Sequence, residues 1–117
     1  MRIEREDLGG VTILRIVGEI DFCDTPQLLD ELRSVQQGGQ LRILVNLARC
    51  TGMVSRAIGI LIGFRCELGA LGGCFWVLCP SQETKEVLEL VGLLEQLVRP
   101  EASENEAVLA VQREPVV

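Results

Sequence analysis

Three apolar runs, each followed by a stretch of helical pattern, restrict this chain more than any other feature. The runs are Val11-Thr12-Ile13-Leu14-Arg15-Ile16-Val17, Leu41-Arg42-Ile43-Leu44-Val45-Asn46-Leu47 and Cys74-Phe75-Trp76-Val77-Leu78-Cys79. The first is rich in β-branched residues. The second is apolar almost throughout, as a strand covered on both faces should be. A helix is predicted from Thr25 to about Gln37, with Leu28, Leu29, Leu32 and Val35 inward and Gly38-Gly39 ending it. Pro26 suits a first helical position and favours an extended Thr25 as N-cap. Ala48 to Val54 reads as a loop. A second helix runs from about Ser55 to Ala70, apolar on nearly every side and therefore deeply packed. Its Gly59 and Gly63 lie one turn apart and admit a close neighbour.

Arg2 to Asp7 reads as a charged edge strand, joined through Gly9-Gly10 to the first run as a hairpin. Ser81 caps a third helix whose apolar face is Val87, Leu88 and Val91, with Leu90 and Leu94 alongside. Leu97-Val98-Arg99 reads as a last short strand. Ser103-x-x-Glu106 is a capping-box pattern opening a helix through Val111. The order β-β-α-β-α-β-α-(β)-α predicts an α/β fold: a mixed, mostly parallel sheet of four or five strands covered by about four helices. The chain of 117 residues makes one domain over 1–112, with a C-terminal tail at 113–117.

Composition narrows the function. A net charge of −6 opposes binding to nucleic acid or to an anionic membrane surface. There is no His, which removes the Ser-His-Asp and Cys-His nucleophile systems and zinc sites built on His. No phosphate-cradling glycine motif occurs, and acidic pairs such as Glu101/Glu104 read as solvated charge, so no catalytic residue, metal site or cofactor is expected. Cys23, Cys50, Cys66, Cys74 and Cys79 are odd in number and form no C-x-x-C pair. They read as buried, reduced thiols, with Cys74 and Cys79 on opposite faces of one strand. The charged start lacks a signal peptide's apolar stretch. The longest apolar segment, Ala57 to Phe64, falls far short of the ~20 residues that span a bilayer. A soluble, cytoplasmic protein is expected.

The informative segment is Leu47 to Gly59, which joins the C-terminal end of a central strand to the start of a helix. Ligands and modifications tend to sit at that end of an open α/β sheet. Ser55 is the N-cap candidate there, and a helix N-terminus favours a phosphoryl group. Ser55 as a cap and nothing more is the competing reading.

Several motifs then resemble one family. Gly18-Glu19-Ile20-Asp21 is similar to the Gly-Glu-Leu-Asp motif of the STAS domain, the sulfate transporter and anti-sigma factor antagonist family. Leu44-Val45-Asn46-Leu47 resembles its Val-Leu-Asn/Asp-Leu strand. Thr51 to Gly59 resembles its Thr-x-Ile/Met-Asp-Ser-Ser/Thr-Gly-Leu-Gly loop, and Val87 to Leu93 its Val-x-x-x-Leu-x-x-x-Gly-Leu helix. The resemblance implies a bacterial anti-sigma factor antagonist, a non-enzymatic module that switches partners and is a monomer or weak homodimer. It implies binding to an anti-sigma factor serine kinase, release on phosphorylation at Ser55, and reversal by a serine phosphatase. The implied partner face is Asp21, Phe22, Cys23, Asp24, Gly52, Met53, Val54 and Arg56. Val54 stands where the family has an acid, Arg56 where it has a second Ser or Thr, and Ala57 where it has Gly. These departures favour the alternative, a divergent STAS scaffold or small-ligand sensor without phosphorylation.

Overall fold

Four strands in the order β1-β2-β3-β4 form one sheet in the computed structural model, which describes residues 1–114. β1 (Arg2–Leu8) pairs antiparallel with β2 (Val11–Ile20). Gly9 and Gly10 both have positive φ, 57° and 82°, as a tight hairpin turn requires. β3 (Arg42–Met53) and β4 (Cys74–Leu78) add in parallel. Parallel neighbours need crossovers. α1 (Thr25–Gln37) links β2 to β3, and α2 (Ser55–Ala70) links β3 to β4. α3 (Gln82–Leu90), a single turn α4 (Leu94–Leu97) and α5 (Glu104–Arg113) follow. This is the expected mixed, mostly parallel α/β sheet. α5 reaches Arg113, one residue beyond the expected domain end, and positions 115–117 of the expected tail lie outside the described residues.

Helices cover the two faces unequally. Leu14, Ile16, Ile43, Val45, Phe75 and Val77 pack against Leu28, Leu32, Leu61, Phe64, Leu68 and Leu88 of α1, α2 and α3. The other face carries Val11, Ile13, Leu44 and Leu78 under Ala107, Val108 and Val111 of α5. The alternation along each strand sorts these residues, since neighbours point to opposite faces.

Several local expectations give way to long-range pairing. β3 runs on through the expected loop to Met53, because Gly18, Glu19 and Ile20 supply ladder partners for Cys50, Gly52 and Met53. Gly18 sits at φ 92°, beside a register shift that lets both strands continue. Leu97 to Arg99 is no strand. Leu97 closes α4, Val98 makes one bridge to Val77, and Pro100 ends the pairing. Thr25 is helical at φ −61° and ψ −36°, with Asp24 at the cap position; a 3-10 turn over Phe22–Asp24 leads into it. Cys79 has φ 47°, so it turns to the same cluster as Cys74 instead of the opposite face. All five cysteines are free, yet Cys23 and Cys66 are exposed, not buried. In α3, Leu90 and Val91 are exposed, since the helix ends at Leu90.

α2 also differs from expectation. It buries Ala57, Ile58, Leu61, Phe64 and Leu68, but Gly59, Gly63, Cys66 and Ala70 face solvent. A methyl group on Gly59 or Gly63 would meet no atom within 4 Å, so neither glycine serves a neighbour in this chain. Gly59→Ala and Gly63→Ala should each stabilise the fold by about 0.5–1 kcal/mol, because alanine restricts the unfolded chain and favours helix. Thermal unfolding checks this, and a lower melting temperature in either variant would contradict it.

α5 is clamped by a polar cluster. Arg15 donates from Nε and Nη2 to the two carboxylate oxygens of Glu104, at 2.9 and 2.6 Å, and Asn46 donates to Oε2 at 2.6 Å. The Arg15 guanidinium holds the Glu104 carboxyl below its ordinary range, as Arg99 does for Glu101. Carboxyls depressed in the folded state stabilise it above their unfolded values and lose that contribution as pH falls through the folded ones. Stability should therefore decline from about pH 5 towards pH 3. Glu104→Gln should be less stable at neutral pH and show a shallower acid decline in urea titrations. An unchanged slope would count against the clamp.

Candidate functional site

The candidate site forms where β2 and β3 end side by side. Ile20 pairs with Met53, and the Val54 N–H donates to the Ile20 carbonyl at 3.1 Å. That bond fixes Val54 in an extended conformation (φ −77°, ψ 160°) at the cap position of α2. Its carbonyl accepts from the Ala57 N–H at 3.0 Å. Ser55 is therefore the first helical residue and not the N-cap, and its hydroxyl makes no capping bond. The expected cap contribution of Ser55 is absent, because a backbone bond fixes the position a serine would otherwise take. Ser55 is exposed, where the first N–H groups of α2 lack helical partners.

The two sequence segments proposed for the site meet here. The turn Phe22–Asp24 lies beside the start of α2, and the Arg56 guanidinium sits 5.7 Å from the Phe22 ring centre. Phe22 is 66% exposed, an unusual setting for a large aromatic side chain. The Asp24 carboxylate accepts from the Asp21 N–H at 2.8 Å, and the Thr25 hydroxyl donates to the Phe22 carbonyl at 2.8 Å, so the turn is rigidly held. Asp21 and Cys23 are exposed, and Asp24, Gly52 and Val54 are half-buried. Met53 is buried in the core, which withdraws its side chain from any surface contact.

Other residues complete the surface. A groove of about 460 Å³ runs between α1 and α2, lined by Pro26, Leu29 and Asp30 on one side and Arg56, Gly59 and Ile60 on the other. Exposed Glu19 stands next to Gly52. Pro26, Asp30, Gly59 and Glu19 were not among the residues expected on the partner face. The i, i+4 steps Pro26–Asp30 and Ser55–Gly59 were the only signal that pairs them on their helices.

Chemically, the site offers a hydroxyl, a cation, an aromatic ring and several carboxylates, all wet. Burial pushes the Cys50, Cys74 and Cys79 thiols up, which makes them poor nucleophiles. Among the described residues no cluster of three or more metal-ligating side chains occurs, and no helix is long and apolar enough to cross a membrane.

A sequence model of the STAS domain family matches residues 2–107. The chain is similar to the phosphorylated form of the Bacillus cell fate determinant SpoIIAA at 27% identity, with a TM-score of 0.74 over 94% of this chain and 99% of that one. It is similar to the unphosphorylated form of the anti-sigma factor antagonist SpoIIAA at 23% identity, with a TM-score of 0.78 over 97% and 100%. An anti-sigma factor antagonist from Mycobacterium paratuberculosis shares 24% identity, with a TM-score of 0.82 over 95% of this chain and 93% of that one. The likeness of fold extends over nearly the whole of each chain.

Proposed function

This chain belongs to the STAS domain family, and on that premise we propose that it is an anti-sigma factor antagonist working by partner switching in the cytoplasm. It is not an enzyme in this reading. Unphosphorylated, it binds an anti-sigma factor that is also a serine kinase. The kinase transfers the terminal phosphoryl group of a nucleoside triphosphate to the Ser55 hydroxyl oxygen, which gives up its proton; the nucleoside diphosphate leaves, and the complex parts. A serine phosphatase restores the binding form. The partner face comprises Asp21, Phe22, Cys23, Asp24, Gly52, Val54 and Arg56.

One observation carries the reading: Ser55 is exposed at the first residue of α2, beside an exposed aromatic residue on a rigid turn. A phosphoserine adds about −1.5 to −2 charges. The folded chain tolerates an anion at a helix N-terminus in contact with water, whereas a partner packed over Phe22 and Val54 would have to desolvate it.

The uncharged Val54 and the cation at Arg56 support a second reading, an unswitched scaffold or ligand sensor. Calorimetric titration of wild type, Ser55→Ala and Ser55→Asp against the cognate anti-sigma factor kinase decides between them. Equal binding by all three would overturn the switch and favour the scaffold.

A further inference from the structure

Arg56 differs from most of the chain's arginines. Six of them lie within 3.7 Å of a carboxylate. Arg42 and Arg65 donate to backbone carbonyls. Among the described residues Arg56 has neither kind of partner, although the chain is acidic and Arg56 is next to the acceptor serine. Its guanidinium rests on the Phe22 ring instead. The charged groups around it are Glu19 at the end of β2, Asp21 and Asp24 at the 3-10 turn and Asp30 on α1. These four are acids, and the Met1 ammonium lies 3.9 Å from the Asp24 carboxylate, so a phosphoryl group arriving at Ser55 would enter a largely negative surround in which Arg56 is the adjacent cation.

We propose that Arg56 is the counter-cation of a phosphoryl group on Ser55, and that taking up this role draws its guanidinium off the Phe22 ring. The proposal rests on the phosphorylation reading above and names how this chain carries the modification. A guanidinium on an exposed ring is weakly held, whereas one facing a phosphate makes charge-assisted, bidentate hydrogen bonds. The exchange therefore runs towards the phosphate. Adjacent helix positions do not face each other. The Arg56 arm must then swing back over the first turn, and it cannot stay on Phe22 while it does so. Phosphorylation in this way alters two features of the partner face at once: it adds charge at Ser55 and uncovers Phe22. A Ser or Thr at this position, as in the family, could supply neither the countercharge nor a cover for Phe22.

The test uses the full chain with phosphoserine installed at position 55 during translation, so no kinase is needed. Phosphorus NMR then gives the second pKa of the phosphoserine, near ~6 when unperturbed. Arg56→Gln should raise it by roughly half a unit relative to the otherwise identical phosphoprotein, since the surrounding acids are common to both. The Arg56 Nε–Hε resonance should carry a ring-current shift in the unmodified chain, lose it in Phe22→Leu, and lose it equally on phosphorylation. Agreement of both readouts supports the proposal. An equal pKa in both phosphoproteins, or an Arg56 resonance that phosphorylation leaves in place, overturns it. Because the phosphate is installed without the kinase, such a result speaks against Arg56 alone, while the switch itself is judged by the kinase titration.

Discussion

Ser55→Asp is expected to bind the kinase at least about a hundredfold more weakly than wild type, with an almost unchanged melting temperature. The two halves of this result come from different parts of the geometry. Within the fold, Ser55 is exposed and its side chain has no hydrogen-bond partner among the described residues, so its replacement removes little. The first turn of α2 holds no acid, and adding one there is favourable by about 0.3–1 kcal/mol before solvent screening reduces it. At a partner surface the same carboxylate is desolvated. Stripping water from that charge costs several kcal/mol, and each ~1.4 kcal/mol is a factor of ten in affinity. Ser55→Ala should match wild type in stability, because Val54 and not Ser55 occupies the cap position, and it should stay bound when kinase and nucleotide are supplied. Differential scanning calorimetry and titration calorimetry on the same samples separate the two effects. If the aspartate variant bound as wild type does, the surface around Ser55 would lie outside the interface.

How much of this was legible in the sequence depends on the range of the interaction. The strands from Val11 and Cys74 and the helices at Thr25 and Ser55 could be read because period and composition are local properties. The caps at Ser81 and Ser103 also appear as expected, accepting from the Thr84 and Glu106 N–H groups, because a cap bond spans only three residues. What could not be read depends on residues far along the chain. β3 continues to Met53 only because β2 continues beside it, and Val54 displaces Ser55 from the cap only because Ile20 holds its N–H. The same pairing brings Asp21–Asp24 next to Gly52–Arg56. Local patterns place these two segments on separate elements, and the family resemblance alone suggested that they meet. The burial of Met53 follows from strand alternation once β3 is extended, but not from a loop.

Gly73→Ala is expected to destabilise the fold by about 3 kcal/mol, the reverse of the same change at Gly59 or Gly63. Glycine there is required by crowding. A methyl group on Gly73 would run into the Leu41 carbonyl oxygen and come within 2.8 Å of the Leu41 Cβ. Neither side can give way at little cost. The Leu41 carbonyl accepts from the Cys74 N–H at 2.8 Å, the bond that seats β4 against β3, and the Gly73 N–H donates to the Leu68 carbonyl at 2.8 Å, which closes α2. Relieving the clash must lengthen one of these bonds or push β4 off the sheet, where Phe75 and Val77 are fully buried. Gly59 and Gly63 lie on the same helix with open space around them, so the three alanine variants differ in surroundings and not in chemistry. Urea unfolding should show a lower midpoint for Gly73→Ala with an unchanged slope. Ser55 lies at the opposite end of α2, so kinase affinity of the folded fraction should not move. A midpoint within experimental error of wild type would mean that β3 and β4 can separate at this end without loss, and that the close approach of Gly73 to Leu41 is not what holds them.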